Sequence, residues 1–207
     1  MESARLFSDG TMKHSKLIIL SIALALSVFP PVHSQPTDQR GASLIRPGES
    51  IGQTHLGAKG GFDLKKLPQP DLVDNYTSHS VRVWISNKAG RTDTLFVKTV
   101  SNSALGVRPL DGVSVELIRV TSPWYHTASG LSTGSTLARI RREFPDARSV
   151  DNDQRLYGDS KRGIAFEFAR NPTADSPCSA VMVHPPGKQQ VASADEVENL
   201  LREGHRP

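Results

Sequence analysis

The sequence predicts an α+β fold: an antiparallel sheet with helices packed on one face, built from two tandem helix-plus-meander units. Three observations predict this fold. Strand-like runs rich in β-branched and aromatic residues alternate with short turns, one amphipathic helix is well marked at 137–144, and the order of elements in 45–124 recurs in 125–190. The second copy of that order is what suggests a duplication.

The N-terminal segment 1–34 has the pattern of a secretory signal peptide. Lys13 and Lys16 precede an apolar run at 17–29, which is too short for a permanent bilayer span, and small residues precede Gln35. Met12 lies directly before this pattern, so we expect it to be the true start. The pattern predicts export to a periplasm or to the cell exterior, with no stable membrane anchor after cleavage.

The remaining chain divides by composition into four parts. Residues 35–44 contain little apolar surface and are predicted to be a flexible arm. A first α+β unit is expected at 45–124 and a second at 125–190. Residues 191–207 are expected to form a C-terminal helix, at 194–202, and a tail.

Strand signals in the first unit lie at 81–85, 94–100 and 113–120. In the third run, apolar residues up to Leu117 alternate with polar ones until Ile118 breaks the pattern. This alternation predicts a sheet with one buried face and one face mostly exposed to solvent.

In the second unit, Leu137, Ile140 and Phe144 share one helix face, and Pro145 ends the helix. Strands are expected after it at 155–157, 163–168 and 178–183. A shorter helix at 59–67 would complete the first unit, although its two glycines weaken that signal.

Two stretches carry a family resemblance: 45–52 (IRPGESIG) followed by Leu56 and Gly57, and 125–137 (YHTASGLSTGSTL). They resemble exported tandem-repeat proteins of bacterial envelopes, of the type of the β-lactamase inhibitory protein and the small lipoprotein of the barrel-assembly machinery. The resemblance spans about 45–185 and implies helices on an antiparallel sheet and a role in binding protein. The chain differs from the lipoprotein in lacking a lipidated cysteine and from the inhibitor in lacking paired cysteines.

Charge and cysteine content exclude several classes of function. The net charge is +4 for the whole chain, and basic residues are interspersed with acidic ones, so nucleic acid is not an expected partner. Cys178 is the single cysteine, which predicts a disulfide-free protein with a buried thiol. No histidine spacing fits a metal site, and no motif indicates a cofactor.

Aromatic residues are the predicted binding residues: Trp84, Trp124, Tyr125 and Tyr157. The function that we expect is a non-catalytic binding or envelope-accessory protein whose partner is another envelope or secreted protein. Two alternatives remain open. One is an exported hydrolase that assembles Ser50, His55 or His126, and an Asp from 146–159; the other is a glycan or small-ligand binder that stacks its ligand on an exposed Trp.

Overall fold

An eight-stranded antiparallel sheet organises the fold. The computed structural model of the protein describes residues 39–76, 78–88, 90–101, 113–188 and 199. The elements within these residues are α1 (Gln39–Ala42), β1 (Ile45–Arg46), β2 (Ser50–Ile51), β3 (Thr54–His55), α2 (Gly57–Leu64), β4 (Leu72–Asn75), β5 (His79–Lys88), β6 (Arg91–Ser101), β7 (Val113–Val120), α3 (Leu137–Glu143), β8 (Arg148–Ser149), β9 (Leu156–Asp159), β10 (Ile164–Glu167) and β11 (Ala180–Val183). This content confirms the predicted α+β class.

The large sheet consists of two four-stranded meanders joined side by side. Its strand order is β4-β5-β6-β7-β11-β10-β9-β8, and every neighbouring pair is antiparallel. Strand β7 is the last strand of the first meander and β11 is the last strand of the second, so the chain's two halves meet at this pair. The short strands β1, β2 and β3 form a separate small sheet.

The strongest strand predictions are confirmed. The runs at 81–85, 94–100 and 113–120 lie within β5, β6 and β7, and the three runs of the second unit correspond to β9, β10 and β11. Strand β4 was not predicted because Asp74 and Asn75, which are depleted in strands, make up half of it.

The prediction that one face of the sheet is mostly exposed to solvent is wrong. Strands β9, β10 and β11 are buried at every position, and the last four residues of β7 are buried as well. A register shift between β6 and β7 explains the broken alternation at Ile118. Lys98 pairs with Leu117 but Thr99 pairs with Val115, so Glu116 is an extra residue that reverses the side-chain phase.

Two apolar clusters result, one on each side of the sheet. Val115, Ile118 and Val120 belong to the larger cluster, whereas Leu117 belongs to the smaller one with Phe96 and other strand residues. Both faces of the sheet therefore carry buried apolar side chains.

A buried ion pair lies across the junction of the meanders. Arg119 on β7 donates to the carboxylate of Glu167 on β10 from Nε, at 3.1 Å, and from Nη2, at 2.7 Å. Both side chains are almost fully buried, and Arg155 approaches the second carboxylate oxygen at 3.7 Å. Strand β11 lies between the two charged residues, so this pair ties three strands together.

Helix α3 forms as predicted. Thr136 begins it as the N-cap, with its hydroxyl accepting a hydrogen bond from the Arg139 N–H. Leu137, Ile140 and Phe144 are all buried, and burial of each side chain stabilises the fold by about 1.5–3 kcal/mol. The Phe144 ring packs against Phe166 of β10, which attaches the helix to the sheet.

Helix α2 occupies the region predicted at 59–67, beginning two residues earlier and ending at Leu64. One of the two glycines that weakened the helix signal, Gly60, is required by packing. Gly60 lies directly against β7, and a Cβ atom there would overlap the His55 carbonyl oxygen and the Val115 side chain. The absent side chain therefore allows close packing of helix on strand.

The last residues of the predicted arm contact the rest of the fold. Gln39–Ala42 form one helical turn, and Ser43 is buried, with its carbonyl oxygen accepting from the His126 N–H at 2.9 Å. The predicted signal peptide and, apart from Asn199, the predicted C-terminal helix lie outside the described residues. Among the residues that are described, no helix has the length and hydrophobicity needed to cross a membrane.

Replacing Gly60 with alanine tests the close contact between α2 and β7. Alanine normally favours a helix interior, but here its methyl group must displace backbone, so we expect Gly60→Ala to lower the free energy of unfolding by about 3 kcal/mol. Urea unfolding followed by circular dichroism measures this. Ala58→Ser, at an exposed site in the same helix, is the control and should change stability by less than about 0.5 kcal/mol. Stabilisation by Gly60→Ala would contradict the packing.

The buried ion pair generates a second stability prediction. Glu167→Leu leaves Arg119 charged and unpaired in the interior, so we expect a loss of about 3–5 kcal/mol. Adding Arg119→Met should recover most of that loss, because the double variant has no buried charge at this pair. Arg170→Met, which breaks the exposed pair with Asp153, is the control and should cost under about 1 kcal/mol. Equal losses in the single and double variants, measured by the same unfolding assay, would show that the ion pair is not responsible.

Candidate functional site

An open groove at one end of the first meander is the candidate site. Its lining comes from four segments, at 67–71, 84–88, 91–95 and 122–125, and its volume is about 710 Å³. This volume lies within the range of ligand sites in proteins. Because Trp84 and Trp124 both line it, we call it the tryptophan groove.

The ends of β5 and β6 form the floor of the groove. Strand β4 pairs with β5 only as far as Val83, and β7 pairs with β6 only from Leu95 onward. The β5–β6 hairpin therefore extends beyond its neighbours as a two-stranded ribbon. On this ribbon Trp84 pairs across the strands with Leu95, and both side chains are half-buried against the core.

Trp84 is fixed by the segment that connects α2 to β4. Its indole N–H donates a hydrogen bond to the Pro68 carbonyl oxygen at 2.8 Å. Gln69 and Asp71 follow in the same wall, and Asp71 accepts a hydrogen bond from the Ile85 N–H at 2.6 Å. Two hydrogen bonds thus hold this wall to the floor: one from a floor side chain to the wall backbone, and one from the floor backbone to a wall side chain.

Trp124 and Tyr125 form the opposite wall, on the loop that follows β7. The Trp124 side chain is 55% exposed, and its ring meets Tyr125 edge to face with centroids 4.9 Å apart. Tyr125 is half-buried, and this burial raises the pKa of its hydroxyl group. The loop is held in place where the Thr121 hydroxyl accepts from the Thr94 N–H at 2.8 Å.

The charged groups at the rim are balanced. Arg91 donates to both carboxylate oxygens of Asp93, at 2.8 and 3.0 Å. The hydrogen bond from Arg91, with a further one from Ser122, lowers the pKa of the Asp93 carboxyl. Lys88 and Asp71 add one charge of each sign, so the groove carries no net charge in its lining.

The structure brings together three of the four predicted binding residues. Trp84, Trp124 and Tyr125 share the groove, although Trp84 is about 40 residues away in sequence. Tyr157 is elsewhere: its ring is 4% exposed, packs edge to face on Phe168 and lies under the Arg141 guanidinium. Tyr157 is therefore a core residue, because β9 is buried on both faces. The groove segment 67–71 was missed in the sequence, where its two prolines were the available signal.

The hydrolase alternative requires a serine, a histidine and an acid within reach of one another. Ser50 is fully buried, and its hydroxyl accepts a 3.5 Å hydrogen bond from Arg46. His55 lies opposite Ser50 in the β2–β3 ladder, but its Nε2 is 3.0 Å from the Lys59 ammonium and its Nδ1 is 2.7 Å from Asp63. Asp63, which sequence analysis did not single out, is thus the acid that reaches His55.

The acidic residues at 146–159 have other partners. Asp151 accepts hydrogen bonds from the Arg155 and Leu156 N–H groups, and Asp159 accepts one from the Arg162 N–H. Asp146 and Asp153 form ion pairs with lysine and arginine side chains. The Nδ1 of His126 lies 3.1 Å from the Trp124 carbonyl oxygen. In this part of the structure no predicted serine, histidine and aspartate meet.

The described residues contain no group of three His, Cys, Asp or Glu side chains that could hold a metal ion. Cys178 is buried, as predicted, and its thiol donates to the Ser132 carbonyl oxygen at 3.3 Å. Burial raises the pKa of this thiol to about 11. It therefore remains protonated near neutral pH and is a poor nucleophile.

Comparisons with known proteins return little. No protein-family model matches the chain, and no curated protein gives a significant match. Among solved structures, the uncharacterized protein yfeY from Escherichia coli aligns with a TM-score of 0.34 at 13% sequence identity, covering 69% of this chain and 99% of that one. A TM-score this low supports no inference about this chain.

The buried thiol gives a prediction for pH dependence. Because the pKa of Cys178 is raised from 9.0 to about 11 on folding, the unfolded chain loses its thiol proton first. The contribution of this thiol to the free energy of unfolding should be constant below pH 9 and should decline as the pH rises from 9 toward 11. Urea unfolding at several pH values, compared with Cys178→Ala, isolates this contribution, because the alanine variant lacks the thiol titration. Equal pH slopes for the two proteins would show that the thiol is not protected.

Proposed function

We propose that the protein is an exported, non-catalytic, protein-binding module of the cell envelope, and that its binding surface is the tryptophan groove. One observation supports this more than any other. Trp84, Trp124 and Tyr125 come from a strand and a separate loop, yet they line one open groove. Large aromatic side chains in a partly desolvated recess supply much of the free energy in protein interfaces.

The exposure of Trp124 supports binding over a purely structural role. A tryptophan that served only the core would be buried, but more than half of this side chain faces solvent. Its neighbours hold it in position: Tyr125 supports the ring, and Ser122 accepts from the Trp124 backbone N–H. A fixed, exposed aromatic side chain binds a partner with little further loss of conformational entropy.

The proposal includes the two-unit architecture inferred from the sequence. Supporting it, each half of the sheet is a four-stranded meander that follows a helix in the chain, α2 in the first half and α3 in the second. Leu64 of α2 and Ile140 of α3 belong to the same apolar cluster, as expected if both helices pack on one face. In this arrangement the groove lies in the first unit, and the loop carrying Trp124 is the connection to the second.

The geometry gives less support to the hydrolase alternative. Ser50 is inaccessible, and the Nε2 of His55 is directed at a lysine ammonium instead of a nucleophile. A serine nucleophile needs a histidine within hydrogen-bond distance to accept its proton. For this reason we assign no catalytic residues.

Site-specific photo-crosslinking tests the proposed function. A benzophenone amino acid at Ser86, an exposed position in the groove lining, should form a discrete protein adduct on irradiation of the full chain in its source cells. The same group at Ser78, an exposed serine that is not in the groove lining, is the matched control. Combination with Trp124→Ala should remove the Ser86 adduct, because the partner loses its main aromatic contact.

Trp124→Ala should leave the thermal midpoint within about 3 °C of the wild type, since the side chain is exposed. The proposal is wrong if adducts from Ser86 and Ser78 are the same, or if the Ser86 adduct persists in a folded Trp124→Ala variant.

A further inference from the structure

One wall of the groove is formed by a segment of distinctive sequence. Residues 67–70 read Leu-Pro-Gln-Pro, and residues 68–70 belong to no helix or strand. Proline fixes its own φ near −65°, and it restricts the preceding residue to extended or polyproline II conformations. Leu67 and Gln69 are both followed by proline, so the whole segment favours the polyproline II conformation.

Trp84 contacts this segment through a hydrogen bond of the kind that aromatic side chains donate to polyproline helices. Its indole N–H donates to the Pro68 carbonyl oxygen at 2.8 Å, and both residues line the groove. Carbonyl groups in such a helix have no internal hydrogen-bond partner, so an indole N–H is a suitable donor for them. One wall of the groove is thus a proline-containing segment held by a tryptophan.

The opposite wall, with Trp124 and Tyr125, offers hydrogen-bond donors that no described residue uses. No residue in the described part of the chain hydrogen-bonds to the Trp124 indole N–H or to the Tyr125 hydroxyl group. Both donors belong to aromatic residues that line the groove. The rim charges cancel, because Asp71 and Asp93 are balanced by Lys88 and Arg91, which favours an uncharged ligand.

From these observations we infer the class of ligand: an uncharged, extended, proline-containing segment of the partner protein, bound alongside residues 67–70. Proline rings of that segment lie on the exposed ring of Trp124, and its carbonyl groups accept hydrogen bonds from the Trp124 indole N–H and the Tyr125 hydroxyl group. This inference rests on the proposed protein-binding function and names the chemistry of its partner.

Isothermal titration calorimetry of the full chain tests the ligand class. The probe is an uncharged, end-blocked nonapeptide in which proline alternates with leucine and glutamine; the control peptide has alanine at each proline position. We expect the control to bind at least tenfold more weakly, because it lacks the preformed conformation. Raising salt from about 50 to 500 mM should change the dissociation constant less than about twofold, since no ion pair is involved.

Protein variants separate the ring from its N–H group. Trp124→Phe keeps an aromatic surface and loses the donor, so we expect about fivefold weaker binding, whereas Trp124→Ala should weaken it at least tenfold. Phe62→Ala, which removes a similarly exposed aromatic outside the groove, should bind the probe as the wild type does. Equal binding of the two peptides, equal binding by Trp124→Phe and wild type, or Trp124-dependent binding of a neutral oligosaccharide in place of the peptide would overturn the inference.

The two proposals fail in different ways. If the groove crosslinks a partner protein in a Trp124-dependent manner and the proline peptide does not bind, the ligand class is wrong and the protein-binding function stands. If neither the Trp124-dependent crosslink nor the peptide binding is observed, both the protein-binding function and the ligand class are rejected. Dimers of this chain that depend on Trp124, detected by sedimentation velocity, would replace the proline segment with a second copy.

Discussion

The pairing of β7 with β11 is the constraint on which the rest of the structure depends. It joins two meanders into one sheet, and it makes β7 a central strand whose Val120 pairs with Leu95 on one side and Val181 on the other. This pairing fixes where the chain leaves the sheet after Val120. The next residue, Thr121, donates its N–H to the Thr94 carbonyl oxygen and accepts the Thr94 N–H with its hydroxyl. The loop with Trp124 is therefore placed over the β5–β6 ribbon by the central sheet, and the Arg119–Glu167 pair secures that region from the other face.

Much of the fold was predictable because local patterns determine it. Strands β5, β6 and β7 have the side-chain chemistry of strands, and α3 has an N-cap threonine, a regular apolar stripe and a terminal proline. Patterns of this kind do not report what lies on a second face of a sheet, so the burial of β9, β10 and β11 on both faces was missed. The bulge at Glu116 was visible only as a break in alternation at Ile118, and its meaning depended on a partner strand. The pairing of Val120 with Val181 joins residues 61 positions apart, a distance at which the sequence carries no local signal.

The candidate site was predictable in its aromatic residues and not in its assembly. Trp84, Trp124 and Tyr125 could be selected by side-chain type, since these rings dominate interfaces, but the same criterion also selected Tyr157, which is in the core. What separates them is exposure, and exposure depends on where β4 and β7 stop pairing. The wall at 67–71 illustrates the same limit. Its prolines predict an extended segment, whereas the hydrogen bond from Trp84 to Pro68 requires that the chain cross the ribbon at that point.

The position of the two tryptophans has a consequence for spectroscopy. The chain contains only two, Trp84 and Trp124, and both lie in the same groove, one half-buried and hydrogen-bonded, the other exposed. The intrinsic fluorescence of the native protein therefore originates almost entirely from this one surface, with a blue-shifted and a red-shifted component. Emission spectra and collisional quenching would report the solvation of the groove without an attached label, while far-ultraviolet dichroism follows the sheet. The molecule thus carries its own optical reporter at the location where its function is proposed to reside.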